Sequence, residues 1–252
     1  MRDRVYDSAT VARRGWCHIA RRPVLTVGRR VRTAWETGPI MPSPDSHAHD
    51  HDAADHQHAH DHGHDHAPAG PGPLADAAVR TGRPSDAPAV GLVQAFVWQH
   101  EYADVLSREV LDALTGPRFA SVWRRSLEHP PTSRHRLLVA TAGPQVVGYL
   151  ALGPAGDEPG LTHGTTGMLS DGGVHPDARH AGHGSRLLNA AVDTLRAAFD
   201  DLTAVATWVL ADAEGTRAFL QGAGFAPDGA WRDRVVDDDG RTAREVRLVT
   251  EL

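Results

Sequence analysis

From about residue 77 to the C-terminus, apolar and polar positions alternate in two rhythms, one of period 2 and one of period 3.6, that hand over at short intervals. Residues 79–82 read as a short strand. Ser85 or Asp86 then stands as a helix N-cap with Pro88 in the first turn, and Val90, Val93 and Val97 follow at helical spacing. Residues 107–115 predict a second short helix, capped by Ser107 and with Glu109 near the positive end of its dipole. Residues 137–140 and 146–152 predict two strands around Gly143 and Pro144, which makes a hairpin. A strand within 165–174 leads into a helix over 184–199, where Leu188, Ala191, Val192, Leu195 and Phe199 share one face and Arg186, Asn189, Asp193 and Arg196 the other. Residues 203–210 form an apolar, β-branched strand, and a helix over 213–222 stops at Gly224. The last two strands turn at Asp239 and Gly240, a strong hairpin signal. The order is β-α-α-β-β-β-α-β-α-β-β, an α/β (α+β) fold with a mixed sheet and helices on its faces.

The first 76 residues have another character. Residues 1–40 show neither rhythm and carry nine arginines against Asp3, Asp7 and Glu36, a net charge of +6. Residues 41–76 hold a tract with nine histidines between His47 and His66, interleaved with aspartate and alanine, and then a Pro/Gly linker. Three segments follow: a disordered basic leader (1–40), a disordered His/Asp tract with linker (41–76), and a globular domain (77–252). Met41 is a candidate for the true start, with an anion-attracting basic arm as the alternative reading of the leader. The histidines give the tract affinity for zinc or nickel, but a pliable repeat holds neither fixed ligands nor a supporting shell of hydrogen bonds. Incidental metal binding and physiological metal buffering both remain open, and no catalytic metal is expected.

Composition narrows the function. Cys17 is the only cysteine, so no disulfide framework or thiolate metal site is available. No stretch reaches the roughly 18 apolar residues of a membrane span, and the leader lacks the pattern of a secretory signal. A cytoplasmic protein, monomer or homodimer, is the expectation. Lysine is absent and the arginines are scattered rather than striped, which disfavours nucleic acid as a partner.

The candidate chemistry lies at the junction "VHPDARHAGHGSRLL", where Gly182 and Gly184 stand between a strand and a helix. Bare backbone at such a junction lets a ligand approach, and the N–H groups of a first helical turn all face the positive end of the dipole. The main-chain amides of His180, Ala181, Gly182, His183, Gly184 and Ser185 are therefore candidate donors to a phosphate or pyrophosphate. Arg179 adds charge at the rim, and His180 and His183 are available as side-chain donors. Close packing alone also explains a Gly-x-Gly after a strand. Leu187 stands where a third dinucleotide-binding glycine would be, and no Gly-Lys-Ser/Thr is present.

Residues Arg179-His180-Ala181-Gly182-His183-Gly184 resemble the Arg/Gln-x-x-Gly-x-Gly/Ala motif of the GNAT superfamily of N-acetyltransferases. "WVLADAEGTRAFLQGAGF" (208–225) is similar to the second signature of that family, and the likeness extends over most of 77–252. The resemblance implies a GNAT acyl-CoA N-acyltransferase fold and acetyl-CoA as cofactor. Its pyrophosphate would lie on the amides of residues 180–185, and its pantetheine arm along the main chain of Gly172, Gly173 and Val174, in a gap where that strand parts from 203–210. A strand bulge is the plainer account of the two glycines. The acceptor is an amine, on a small molecule or a protein. Where many members carry a catalytic glutamate this chain has Met168, where a tyrosine often stands it has Leu220, and Ala213 replaces the usual asparagine. Asp171 is the candidate base, with a solvated or arginine-paired carboxylate as the alternative; Trp98, Tyr102 and Trp123 are candidates to line the acceptor pocket, or else core. A non-catalytic acyl-CoA-binding or metal-responsive protein is the rival reading of the whole chain.

Overall fold

The structure, a computed structural model, describes residues 27–29 (backbone only), 77–236 and 240–252. The rest of the basic leader, the histidine tract, the linker and Asp239 of the last turn lie outside the described residues. The strands are β1 (Val27–Arg29), β2 (Ala77–Thr81), β3 (Arg136–Ala142), β4 (Gln145–Pro154), β5 (Thr166–Val174), β6 (Ala204–Leu210), β7 (Ala226–Val235) and β8 (Thr242–Glu251). The helices are α1 (Ala87–Glu101), α2 (Arg108–Ala113), α3 (Gly116–Glu128), α4 (His183–Ala198) and α5 (Glu214–Gly222). One mixed sheet runs in the order β1-β7-β8-β6-β5-β4-β3-β2. Every neighbouring pair is antiparallel except β5 and β6, which α4 connects as a parallel crossover.

Alternation in the strands assigns the two faces. Leu138, Ala140, Leu152, Leu169, Val205, Val209 and Leu248 turn to one side and meet Leu187, Leu188, Ala191 and Leu195 of α4. Leu137, Val139, Tyr149 and Ala151 turn to the other and meet Val90, Val93 and Val97 of α1 with Phe119 and Trp123 of α3. Full burial of side chains of this size contributes about 1.5–3 kcal/mol each, so both faces hold their helices firmly.

Three features differ from the sequence expectation. Helix α3 has no counterpart in the expected order: Gly116 and Pro117 resemble a chain breaker, but Pro117 sits in the first turn, where its missing N–H costs nothing. Asp86 occupies the N-cap of α1 without capping it, because its carboxylate accepts from both terminal guanidinium nitrogens of Arg80 at 2.7 and 2.8 Å and from the Arg83 amide at 2.8 Å. Val27–Arg29, inside the leader for which no element was expected, pair antiparallel with Ala230, Trp231 and Arg232.

Helix α1 carries several residues of the site described below, and its position depends on one glycine. A Cβ on Gly91 would lie 2.5 Å from the Ala120 amide nitrogen and from the Gly116 carbonyl oxygen, both backbone atoms of α3. Gly91→Ala must push the helices apart, and overpacking of this kind costs about 3 kcal/mol. The expected fall in Tm is about 10 °C by thermal melting, and a variant that melts with the wild type would refute the contact.

Candidate active site

The sheet is split in its middle. Strands β5 and β6 pair over only four rungs, from Thr166 with Ala204 to Leu169 with Thr207, and the Thr207 hydroxyl donates to the Leu169 carbonyl at 3.0 Å at the end of that ladder. Beyond it Asp171 to Val174 pair only with β4, and Trp208 to Leu210 only with β8. The expected gap is there. Its bulge falls at Ser170, where Asp171 and Leu169 face consecutive residues of β4 and the strand swings away. Gly172 and Gly173 are small because of their own neighbours: a Cβ at Gly172 would lie 2.5 Å from Leu150 Cδ1, and one at Gly173 2.7 Å from Val97 Cγ1. Packing within the protein is by itself a sufficient reason for both.

Past Val174 the chain makes a 3-10 turn, Pro176–Ala178, and then two left-handed residues, His180 at φ 63° and Gly182 at φ 79°, the second being the N-cap of α4. A non-glycine residue in that region is strained by about 1–2 kcal/mol, a cost found chiefly at binding and catalytic loops. Among the described residues, the amides of His180, Ala181, Gly182, His183, Gly184 and Ser185 donate to no protein acceptor; the first paired amide is Arg186, bound to Gly182. His180 and Ser185 are exposed. His183 is instead buried with its Nδ1 unpartnered, and so does not serve as an exposed rim donor. Arg179 is no free rim charge either: it donates to Glu101 at 2.9 Å and to the Val174 carbonyl at 3.3 Å. Glu101, the last residue of α1, also accepts from Thr216 of α5 at 3.4 Å, and so connects the loop with the helix that follows β6. Phe219 of the same helix is 42% exposed, and a Cβ at Gly184 would lie 3.3 Å from its ring.

On the α1 face, Asp171 sits in a hydrogen-bonded frame. Gln94 Nε2 donates to Oδ2 at 2.6 Å and the Tyr149 hydroxyl to Oδ1 at 3.0 Å. The carboxylate is therefore neither freely solvated nor held by a bonded arginine. Burial pushes its pKa up to about 6, against partial relief from Tyr149, Trp98, the Arg234 charge and the Gly172 amide. Tyr149 itself, fully buried, is pushed well above the usual phenol range by burial and by the Asp171 charge. Trp98 and Tyr102 stack at 5.0 Å beside this frame, both half-buried, whereas Trp123 is 1% exposed and belongs to the core, its indole donating to Gln94. Met168 and Leu220 are likewise buried core residues, and Ala213 is the N-cap of α5 without a capping side chain.

Sequence reasoning missed a second group. Arg234 donates to the Tyr102 hydroxyl and pairs with Glu245 at 2.8 Å, while Arg232 pairs with the same Glu245 and lies 4.4 Å from the Trp208 ring centre. Burial, offset in part by Arg234, pushes Tyr102 up to about 12. Arg232 and Glu245 are direct partners across β7 and β8, with Arg234 and Arg247 two residues along. Charges repeating every second residue on two neighbouring strands were the available signal, because such residues share a face.

Residues 103–225 match the model of the Acetyltransferase (GNAT) family. The fold is similar to that of PaiA N-acetyltransferase from Thermoplasma acidophilum, solved in complex with coenzyme A (15% identity, TM-score 0.53, 70% of this chain and 99% of that one). It is also similar to ribosomal-protein-alanine N-acetyltransferase from Brucella melitensis (22% identity, TM-score 0.51, 69% and 99%). No protein of curated function matches the chain. Identities this low carry the fold and no further detail.

Proposed function

Since residues 103–225 form an acetyltransferase domain of the GNAT family, we propose that this protein moves acetyl from acetyl-CoA to a primary amine by direct attack, with Asp171 as the base. The observation that carries the reading is the run of six unpaired amides at the start of α4, beside the split between β5 and β6. An anion there meets fixed donors and the positive end of a 16-residue helix. The amides of residues 180–185 hold the diphosphate, and the main chain of Gly172 to Val174, without a partner on the β6 side, is open to hydrogen bonds from the pantetheine arm. When bound, acetyl-CoA would supply a thioester carbonyl to a neutral amine: the C–N bond would form as the C–S bond breaks, and the proton the nitrogen must then lose would pass to the released thiolate. No side-chain acid is required, since a thiol of pKa about 8.5 leaves tolerably as its anion.

The amine needs more help, because an alkylammonium of pKa about 10 is mostly unreactive at neutral pH. A carboxylate raised to about 6 is ionised at pH 7 and yet a stronger base than an ordinary aspartate. Trp98 and Tyr102 offer the acceptor aromatic surface, and the cluster of Glu245, Arg232 and Arg234 lies beside them. The acceptor is an amine on a small molecule or a protein.

Titration calorimetry with coenzyme A, followed by turnover over a panel of primary amines, tests this reading. No heat on adding coenzyme A would end it, and binding without turnover of any amine would favour a non-catalytic acyl-CoA-binding protein. A narrower expectation concerns Glu101, which neutralises Arg179 at the edge of the loop. Glu101→Gln leaves that guanidinium free for a diphosphate, so coenzyme A should bind about 3- to 10-fold more tightly at low salt. Unchanged or weaker binding would remove Arg179 from the phosphate site.

A further inference from the structure

The Trp123 indole N–H can only donate, and it is 2.7 Å from Gln94 Oε1. That bond fixes which end of the Gln94 amide is which: the oxygen faces Trp123, so the NH2 group faces Asp171 Oδ2, at 2.6 Å. Gln94 is 0% and Trp123 1% exposed, so water cannot take either place. An amide NH2 cannot accept a hydrogen bond, and a proton on Oδ2 would set two donors against each other at 2.6 Å. The Tyr149 hydroxyl 3.0 Å from Oδ1 differs, because it donates to the anion and, by rotating, accepts from the acid, whereas the Trp98 indole and the Gly172 amide, like the Gln94 NH2, can only donate to the carboxylate.

We propose that Gln94, oriented by Trp123, is a positioning residue that reserves Asp171 Oδ2 as a permanent acceptor and so sends the proton taken from the acceptor ammonium to Oδ1. The proposal rests on the reading of Asp171 as the base. In the step itself the N–H electron pair stays on nitrogen, which becomes the nucleophile, and the proton ends on Oδ1 beside the Tyr149 oxygen. The other ionisable groups in electrostatic contact with this carboxylate are Tyr149 on β4, Tyr102 just past the end of α1, and Arg234 on β7, with Glu245 of β8 behind Arg234 and Tyr102. Tyr149 and Tyr102 are both raised above the usual phenol range, so neither competes for the role of base at neutral pH. Gln94 carries no charge, and its effect is that of one fixed donor that favours the ionised carboxylate.

The test is a carbon-13 NMR titration of the aspartate carboxyls in the full chain, with the Asp171 signal assigned by its loss in Asp171→Asn. The pH dependence of kcat/KM and coenzyme A binding are measured alongside. Gln94→Leu should raise the Asp171 midpoint by about one unit, a tenfold gain in proton affinity. The acid limb of kcat/KM should move with it, while coenzyme A binds within twofold of the wild type. Trp123→Phe, which frees the amide to turn over, should shift both in the same direction by less, and it carries the test alone if Gln94→Leu does not fold. An unmoved midpoint in a folded variant overturns the role of Gln94 and leaves the base reading intact. A midpoint that moves while the acid limb stays in place removes Asp171 as the base, and the proposal with it.

Discussion

Asp171→Asn should lower kcat by about 10²- to 10⁴-fold, the range that a general base supplies, while leaving coenzyme A affinity within about twofold. The acid limb of kcat/KM expected near pH 6 in the wild type should vanish along with the activity, since that is where the partly buried carboxyl is expected to take up its proton. Stability moves the other way. The folded pKa of about 6 lies above the ordinary value of 3.8, so the native state binds this proton more tightly than the unfolded chain does. Wild-type stability therefore falls as pH rises from about 4 to about 6 and stays lower above that. The asparagine variant escapes this cost, and its stability relative to the wild type should be about 1 kcal/mol better at pH 8 than at pH 5. Thermal melts at the two pH values, set beside steady-state kinetics, separate a lost base from a damaged fold. Activity retained within tenfold would move the base elsewhere.

The second large effect is on binding. Ser185 is exposed in the first turn of α4, where an acidic side chain is normally welcome because it meets the positive end of the dipole. Ser185→Asp should leave Tm unchanged or slightly raised. It also puts a negative charge among the amides assigned to the diphosphate, and repulsion over about 5 Å at a part-exposed site is worth about 3 kcal/mol, or about 100-fold in the coenzyme A dissociation constant. Calorimetry with both proteins decides it. A variant that folds well and binds as tightly as the wild type would place the diphosphate somewhere else.

The fold was legible where one rhythm dominated. The apolar stripe of α4 and the β-branched run of β6 read directly, because their burial pattern repeats along one element. Helix α3 was hidden by the Gly116 and Pro117 pair at its start, although Phe119 and Trp123 at i and i+4 repeat the helical spacing. At the site, the glycine loop before α4 was readable because its free amides belong to consecutive backbone groups. The frame around Asp171 was not, since it is assembled from α1, α3 and β4, and nothing local in the sequence announces that Gln94 and Tyr149 converge on one carboxylate. The same holds for Arg179, whose neutralisation depends on a glutamate 78 positions away.

The four rungs between Thr166–Leu169 and Ala204–Thr207 are the only ladder that joins the two halves of the sheet among the described residues. So short a seam leaves much of the joint to side chains that reach across the split, among them Arg234 to Tyr102 and Thr216 to Glu101. A molecule bridging both sides acts as a splint, which makes occupancy and rigidity two aspects of a single property of this sheet.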